Sequence, residues 1–407
     1  MSKTYKIIYY ILLIAILAWL LPWLYNLATM KRVRTPFTLY SEIIEDFAMI
    51  NVNSDGKTSR YTDRKGNTYT ETQFDSILPM FYYRQLVTDN KLPDTIRGTH
   101  VTSTIIRREN FIFRSRPSDI NVHHPGLYPL LESRSKRVDL EMPDDIFRLT
   151  KNGIEFIDMA TNQVKKEKSA RFQSVFQQKE VSLPVRVIAG NPTNRKEYDE
   201  GYLFTDNDGK LFHLKQVQGR PFLRPIPIDP EINLSRIWVT EFSNRKYFAF
   251  LTDVNNHFYA LTTPDYNLVK VDIPPFEPEK ESMTIYGNMF TWTVVQTDNR
   301  DEIVTAVDAK TLAAIDSMTF CNPEKDKIGA ASYLFPLQLS FTSTVDKFFY
   351  PRLKAFSCHA LVLNLVLLVL YVVLCRKNKF SAMYLFKAIT VAVLGIFAFI
   401  PALLLKE

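Results

Sequence analysis

Residues Leu203–Leu214 read LFTDNDGKLFHL, and the chain repeats this pattern twice more. Phe250–Leu261 reads FLTDVNNHFYAL and Val295–Ala306 reads VQTDNRDEIVTA, at spacings of about 45 to 47 residues. Each copy has an apolar run, the dipeptide Thr-Asp, a polar turn of about four residues, and a second β-rich run. A period of this length is typical of repeated β modules such as the blades of a β-propeller.

Two further segments carry related hairpin signals. Ile146–Asp158 centres on Asn152-Gly153, and Asn-Gly is the strongest two-residue turn signal in hairpins. Tyr61–Thr70 also contains Thr-Asp and a turn glycine. We therefore expect a domain of four or five modules arranged as an irregular propeller. Because only two strands per module are clearly recognisable in the sequence, a pair of β-sandwiches is the alternative.

The composition is that of a folded protein. Of 407 residues, 46% are hydrophobic and 13% are aromatic, and aromatic residues favour strands. The net charge of +7 is modest and is spread along the chain without a nucleic-acid-binding motif, so we expect no nucleic-acid partner. The three cysteines, Cys321, Cys358 and Cys375, leave no disulfide within the polar domain.

Three apolar segments predict transmembrane helices. Residues 7–27 carry no charge, and about 20 helical residues span roughly 30 Å of hydrocarbon. Tyr and Trp lie near both ends and no cleavage site follows, so we interpret this segment as an uncleaved anchor rather than a cleaved signal. Residues 356–374 and 388–405 are two further spans. The expected fold class is thus a membrane-anchored all-β protein with three transmembrane α-helices.

These spans define the expected domains and their sides. An N-terminal α+β region at 35–140 and a β-propeller-like repeat domain at 141–350 lie together on one side of the membrane. Lys and Arg are almost balanced between the two sides, but the loop at 376–387 is densely basic, so we place it in the cytoplasm. The expected location is the bacterial inner membrane, with the large domain in the periplasm.

Residues 35–140 contain one clear soluble helix. Thr70 and Gln73 form a capping-box signature, and Pro79 predicts a kink or a division into two short helices. Residues 101–116 then read as strands. On such strands Arg108, Arg114 and Arg116 share a parity and lie along one face. This face is either an anion-binding or partner-binding surface or simply a solvated face.

The second predicted span contains the polar residues His359 and Asn364. His359 is close to the membrane interface, whereas Asn364 is deeper, where an amide can hydrogen-bond to a neighbouring helix. Polar groups at such depth are sometimes functional, so both are candidate intramembrane contacts. Helix packing is the simpler interpretation.

No motif predicts catalysis, a cofactor or a metal. Asp206–Gly209 begins like a calcium loop, but its twelfth position is Val217 where the loop needs Glu, so a β-turn is favoured. Gly56-Lys57-Thr58 lacks the earlier glycine of a phosphate-binding loop. His213 and His257 lie near equivalent hairpins, three residues out of register, so a propeller could still bring them together at its axis.

The segment Tyr61–Gly98, YTDRKGNTYTETQFDSILPMFYYRQLVTDNKLPDTIRG, resembles an uncharacterised family of bacterial membrane-anchored proteins. In that family a single anchor precedes a large extracytoplasmic domain, and a hydrophobic hairpin ends the chain. The resemblance implies no activity and no catalytic residues. It is similar to proteins that tend to be encoded beside ABC-type transport systems, which implies a partner role in transport.

We therefore expect a non-catalytic accessory protein of the inner membrane, a partner subunit of an ABC-type transport or envelope complex that packs against a permease. The alternative is an envelope sensor or ligand-binding module, which requires a deep apolar pocket with few polar groups. A third class, an envelope enzyme, requires carboxylates and histidines that converge on the propeller axis.

Overall fold

A computed structural model describes residues 3–29, 35–52, 59–134, 139–298, 301–321, 329–354, 357–376 and 381–405. The chain divides into two compact units. The helical unit combines Met1–Arg34 with Asn322–Glu407, and the β unit is Thr35–Cys321. The Gly56-Lys57-Thr58 motif and residues 377–380 of the predicted basic loop lie outside the described residues.

The strands of the β unit are mostly short and antiparallel. They are β1 (Phe37–Ser41), β2 (Asp46–Val52), β3 (Ser59–Asp63), β4 (Thr68–Tyr69), β5 (Thr95–Ile96), β6 (Thr99–His100), β7 (Phe111–Ser115), β8 (Asp145–Thr150), β9 (Gly153–Asp158), β10 (Val187–Gly190), β11 (Tyr202–Thr205), β12 (Leu211–Val217), β13 (Arg220–Ile226), β14 (Leu234–Val239), β15 (Tyr247–Asp253), β16 (Phe258–Thr262), β17 (Leu268–Lys270), β18 (Ser282–Gly287), β19 (Thr291–Thr297), β20 (Asp301–Asp308) and β21 (Ala314–Cys321). Two further strands, β22 (Gln338–Ser340) and β23 (Arg352–Lys354), belong to the helical unit.

The helices fall into two groups. Helices α2 to α6 belong to the β unit, and α1 and α7 to α10 belong to the helical unit. In chain order they are α1 (Lys3–Thr29), α2 (Glu71–Ile77), α3 (Pro79–Thr88), α4 (Ser103–Glu109), α5 (Pro117–Ile120), α6 (Lys166–Gln178), α7 (Ala330–Leu334), α8 (Ala360–Leu374), α9 (Ala382–Leu394) and α10 (Ile396–Leu404).

The β unit is built from antiparallel meanders. Three sheets have four strands each, in the orders β1-β2-β3-β4, β10-β11-β12-β13 and β14-β15-β16-β17. A fourth has the order β21-β20-β19-β18-β7, and β8 pairs with β9 in a two-stranded sheet. Because β7 completes a sheet formed by β18 to β21, the expected boundary between residues 140 and 141 falls inside one compact unit.

The repeated Thr-Asp dipeptides occupy equivalent places, as the sequence predicts. Thr205 ends β11, Thr297 ends β19, and Thr252 is the penultimate residue of β15. Each of these strands is the second in a run of four consecutive strands, and each threonine borders the hairpin to the third. The module is therefore real, and it contains four strands where the sequence shows two.

The aspartate of the repeat explains why the turn recurs. Oδ1 of Asp206 accepts hydrogen bonds from the amides two and four residues later, at 3.0 and 2.9 Å. Oδ1 of Asp253 does the same at 2.9 and 2.8 Å. An aspartate that binds the amides of its own turn stabilises that turn without any ligand. The turn interpretation of Asp206–Gly209 is confirmed.

Buried clusters of side chains join the sheets in series. Within β15 the alternation of side chains sends Phe250 to a cluster shared with β18 and β19, and Leu251 to a cluster shared with β11 and β14. Further clusters join β8–β9 to β11–β12, and β20 to β1–β2. Among the described residues no cluster joins β8–β9 to β1–β4, and a closed propeller is not detected.

Residues 70–116 partly follow the expectation. Thr70 and Gln73 form the predicted capping box, and α2 gives way to α3 at Pro79. The strand prediction for residues 101–116 is wrong in its first half, where α4 precedes β7. The hydroxyl of Thr102 accepts from the amide of Ile105 at 3.2 Å, and such an N-cap favours a helix over a strand.

In the helical unit, only α1 is long and apolar enough to cross a membrane among the residues described. Its mean hydropathy is 2.4, and only 17% of its apolar window is buried. The three predicted spans are thus not supported as three full-length helices. The predicted span 388–405 breaks at Gly395, where φ is +54° and ψ is −126°, a conformation that suits glycine and ends α9. Helix α8 has 15 residues.

Candidate functional site

A cavity of about 510 Å³ lies in the β unit. Four parts of the chain form it: the end of β1 with the turn that follows, α3, the junction of α4 and β7, and β18 with the start of β19. Its volume is within the range of about 300–1,000 Å³ typical of small-molecule sites. Most of its wall is apolar or aromatic. These side chains include Leu39, Leu78, Met80, Phe81, Phe111 and Tyr286.

Glu42 is the buried acid of the cavity. It is only 3% exposed, and its Oε1 accepts hydrogen bonds at 2.6 Å from both the Asn288 amide and the Thr291 hydroxyl. Burial raises the pKa of this carboxyl, and the two hydrogen bonds offset part of that effect. The turn after β1 and the turn between β18 and β19 therefore hold one polar group at a defined place in an apolar wall.

Asn110 is the second polar group of the interior. It follows the last residue of α4, and its Nδ2 donates to the backbone carbonyl of Met80 at 2.6 Å. Its Oδ1 is buried and has no hydrogen-bond partner among the residues that the structure describes. A buried acceptor without a donor costs about 1–3 kcal/mol.

Two arginines line the same cavity but are exposed. Arg84 Nε donates to the Tyr83 hydroxyl at 3.2 Å. Arg107 lies in the last turn of α4, where a cation also complements the helix dipole. Within the described ranges neither guanidinium has a carboxylate partner. The cavity thus has mainly apolar walls, with one buried carboxyl group and two exposed guanidinium groups in its lining.

The structure does not bring the three predicted arginines together on one strand face. Arg108 lies on α4 and pairs with Glu109 at 3.2 Å, whereas Arg114 lies on the exposed face of β7 and Arg116 precedes α5. The correction follows from α4, because the parity rule applies only to strands. Arg107 does line the cavity, although in a strand it would point to the opposite face from Arg108, Arg114 and Arg116.

Asn364 and His359 lie at different places in the helical unit. Asn364 is 1% exposed, and its Nδ2 donates to the carbonyls of Ala392 and Val393 at 3.3 and 3.0 Å. These carbonyls precede the break at Gly395, which leaves them without their usual helical donors. The amide therefore satisfies backbone groups that the break would otherwise expose. The ring of His359 packs on Tyr333, with centroids 5.2 Å apart.

The histidines of the repeats each have local partners. His213 is buried, donates from Nε2 to the Glu200 carbonyl at 2.6 Å, and accepts at Nδ1 from the Tyr266 hydroxyl at 2.8 Å. Burial, aided by the nearby Lys215 charge, lowers the pKa of His213 to about 3, so the ring is neutral. His257 instead pairs with the aspartate of its own turn at 2.9 Å. No cluster of three or more metal-ligating side chains occurs in the part of the chain that is described.

Together these features define a class: a β-rich domain of repeated antiparallel sheets with a ligand-sized cavity, and an N-terminal apolar helix that is either a membrane anchor or a signal sequence. The model of a family named "Domain of unknown function (DUF4857)" matches residues 37–307, so the chain belongs to this family. The expected membership of an uncharacterised family is confirmed. No curated protein matches the chain.

Solved structures that are similar to parts of the chain include two from different proteins. One is the β-propeller domain of Cps50 (Swd1) from Myceliophteria thermophila, at 12% identity, 55% coverage of this chain, 62% of that chain and a TM-score of 0.27. The other is the dihydro-heme d1 dehydrogenase NirN in complex with DHE, at 9% identity, 68% and 70% coverage and a TM-score of 0.23. At these scores neither bears on the function of this chain.

Proposed function

We propose that this chain is a non-catalytic, membrane-anchored ligand-binding module whose β unit takes up a small molecule in the cavity beside Glu42. The observation that carries the proposal is the cavity itself: about 510 Å³, walled mainly by apolar and aromatic side chains, with a few fixed polar groups. This is the composition of pockets that bind small molecules. The ligand-binding alternative from the sequence required such a pocket.

A matched pair of substitutions tests whether the cavity binds. Ile112 on β7 is exposed and lines the cavity, and Ile315 on β21 is exposed at the opposite edge of the same sheet. The full chain in detergent is screened against a library of small molecules by thermal shift. At least one compound should stabilise the wild type and Ile315→Trp but bind Ile112→Trp at least about tenfold more weakly, because the indole fills the cavity. Failure of every compound to stabilise the wild type would contradict the proposal.

The membrane attachment is supported by exposed apolar surface in the helical unit. Helix α1 leaves most of its apolar window unburied, unlike the core helix of a soluble protein. Helix α8 does the same along most of its length. Its exposed large side chains are Leu361, Val362, Leu365, Val366, Val369, Leu370, Val372, Val373 and Leu374.

We further propose that the helical unit crosses the membrane three times, with α9 and α10 forming one broken span. At about 1.5 Å per residue α8 alone is shorter than a bilayer core of about 30 Å, so flanking residues must complete its span. A non-helical break inside a membrane is tolerated where protein surrounds it, and Asn364 satisfies the break at Gly395.

The large domain lies in the periplasm of a bacterial inner-membrane protein, and the sheets of the β unit form an open, propeller-like series.

The native cysteines allow a direct test of this topology. Cys358 and Cys375 flank α8, and Cys321 ends β21. A membrane-impermeant maleimide applied to cells with a permeabilised outer membrane should label Cys321 and Cys358. It should label Cys375 only after the inner membrane is opened. Labelling of Cys375 together with Cys321 in intact spheroplasts would show that α8 does not cross.

A second candidate function is that of a partner subunit of an ABC-type transport complex. The apolar face that α8 leaves exposed favours it, because a permease helix would cover that face as lipid does. Affinity capture in mild detergent at native expression should return a permease. Recovery of the chain alone would count against this candidate and leave the ligand-binding proposal in place.

A further inference from the structure

A short hairpin of the helical unit exposes large apolar side chains. It consists of β22, β23 and the loop between them, and α8 begins soon after it. We call residues 338–354 the juxtamembrane hairpin. Building on the proposed membrane attachment, we propose that this hairpin lies in the headgroup region of the lipid leaflet where α1 ends and α8 begins. The large apolar side chains that it exposes are Phe348, Phe349, Tyr350 and Leu353.

The loop of the hairpin is closed by polar contacts, so its apolar side chains are held outward by a defined structure. The Arg352 guanidinium donates to both carboxylate oxygens of Asp346, at 2.8 and 2.7 Å, and such a paired contact fixes the geometry of both groups. Asp346 also accepts from the Phe348 amide at 2.9 Å, and Arg352 packs on the Tyr350 ring at 3.9 Å. Phe349 is nevertheless 77% exposed. Neighbouring exposed apolar side chains indicate a surface that contacts another molecule or a membrane.

Ring contacts place the hairpin beside α1. Phe349 stacks on Phe341 with centroids 5.3 Å apart, and Phe341 meets the edge of Trp19 at 6.2 Å. Just before the hairpin, Phe335 contacts Tyr25 of α1 at 5.7 Å. Trp19 and Tyr25 are about 9 Å apart along the axis of α1, because an α-helix rises about 1.5 Å per residue. This is close to the depth of about 5–10 Å to which interfacial segments enter a membrane.

Lipid is the partner that this position favours. Trp19 is itself exposed on α1, so lipid that surrounds α1 reaches the rings that pack on Trp19. Tryptophan and tyrosine are enriched at membrane interfaces, where one end of the side chain is in hydrocarbon and the other is in water. The aromatic residues of the hairpin thus extend the belt that Trp19 and Tyr25 form on α1.

The polar groups of the hairpin place it among headgroups rather than in the hydrocarbon core. A two-stranded sheet has open edges, and open edges that face lipid do not occur within the hydrocarbon. Residues 338–354 contain the bases Lys347, Arg352 and Lys354 and the single acid Asp346. Long basic side chains at this level reach the phosphates while their stems cover apolar surface. Both features suit the boundary between headgroups and acyl chains.

Spin-label accessibility measures where the hairpin lies. The full chain, with serine in place of its three cysteines, carries one introduced cysteine with a spin label and is reconstituted into vesicles of phosphatidylethanolamine and phosphatidylglycerol. Oxygen concentrates in the acyl region, whereas nickel-EDDA stays in water. The label of Phe349→Cys should give an oxygen-to-nickel accessibility ratio at least about fivefold above that of Val254→Cys, since interfacial segments enter the membrane. Val254 is an equally apolar and exposed residue, but in a turn of the β unit.

Two further positions make the outcome decisive. Phe348→Cys keeps the stack of Phe349 on Phe341 and should give the same result as Phe349→Cys. Leu365→Cys, on the exposed face of α8, reports the membrane attachment itself. Nickel access at position 349 combined with a lipid signal at position 365 would overturn the hairpin proposal and leave the attachment in place. Nickel access at both positions would overturn both. Shielding of position 349 from both reagents would show that protein covers it and would also overturn the proposal.

Discussion

The Asp253→Ala substitution removes the carboxylate that closes the turn between β15 and β16. Asp253 is 3% exposed, and its Oδ1 accepts from the amides of Asn255 and His257 at 2.9 and 2.8 Å. Its Oδ2 accepts from the His257 ring at 2.9 Å and from the Tyr259 hydroxyl at 3.0 Å. Alanine leaves all four donors without their acceptor, in a turn that the chain repeats.

The expected loss follows from which donors water can reach. A hydrogen bond to a charged acceptor contributes about 1.5–3 kcal/mol, and an unsatisfied buried donor costs about 1–3 kcal/mol. The Tyr259 hydroxyl is buried, whereas the His257 side chain is partly exposed and can bind water instead. We therefore expect a loss of about 3 kcal/mol in the free energy of unfolding, rather than the sum of four bonds. This corresponds to a fall in Tm of about 6–12 °C for a large domain.

The same carboxylate predicts a pH dependence. Burial acts to raise the pKa of Asp253, but the hydrogen bonds from His257 and Tyr259 outweigh burial and leave the pKa below its ordinary value of 3.8. A lowered pKa in the folded state contributes stability that is complete above the ordinary value and is lost as the pH falls through the folded-state pKa. Asp253→Ala should lack this loss.

The assay is thermal unfolding of the full chain in detergent, followed by tryptophan emission. Hydrogen exchange of residues 247–262, measured by mass spectrometry, localises the effect to the hairpin. Asp208→Ala is the matched control, because Asp208 lies in the equivalent turn but is exposed, and a change within about 0.5 kcal/mol is expected. A Tm for Asp253→Ala equal to that of Asp208→Ala would refute the reasoning.

Three further outcomes are expected in the same thermal assay. Burial raises the pKa of Glu42, so the unfolded chain releases the carboxyl proton at a lower pH than the folded chain, and stability falls as the pH rises above 4.5, the ordinary pKa of this group. Glu42→Gln should flatten this fall in Tm between pH 4 and 8. Equal slopes of Tm against pH for the variant and the wild type would contradict this reasoning. A β-carbon at Gly395 would overlap Asn364 Oδ1, and the positive φ of Gly395 also disfavours any residue with a β-carbon. Gly395→Ala should therefore destabilise the helical unit. Gly329→Ala is the control, because its β-carbon would meet no atom within 4 Å, and its Tm should equal that of the wild type. Phe250→Ala empties a buried site whose ring lies 5.0 Å from that of Phe113, and a loss of about 3–5 kcal/mol is expected; a loss below about 1 kcal/mol would show that the cluster is loosely packed.

Local signals account for the features that sequence predicts well. The Thr-Asp hairpins, the capping box at Thr70 and the division of the helix at Pro79 depend on groups within about six residues of one another. Such contacts form wherever the local sequence occurs. The outer strands were missed because pairing with a neighbour defines them. Pro221 and Pro225 lie on β13, an edge strand where a missing N–H is tolerated.

Helix α6 was missed for a related reason. Only Ser169, Phe172 and Phe176 of its 13 residues are buried, so its apolar pattern is too sparse to stand out from a loop. Residues 388–405 are apolar throughout, so the sequence predicts one continuous span and does not indicate the break at Gly395. The apolar composition of a segment indicates its affinity for lipid, but it does not predict the backbone conformation of a single glycine within the segment.

By itself, the sequence determined the repeated hairpins, the β-rich modules and the apolar N-terminal helix, because each depends on periodicity or on contacts between near neighbours. Only the tertiary structure decided the cavity, which joins Glu42, Arg84, Asn110 and Tyr286 from separate segments through the pairing of β7 with β18. None of these residues belongs to a motif. They are recognised as lining residues by their burial and by their hydrogen-bond partners, and both are properties of the folded chain.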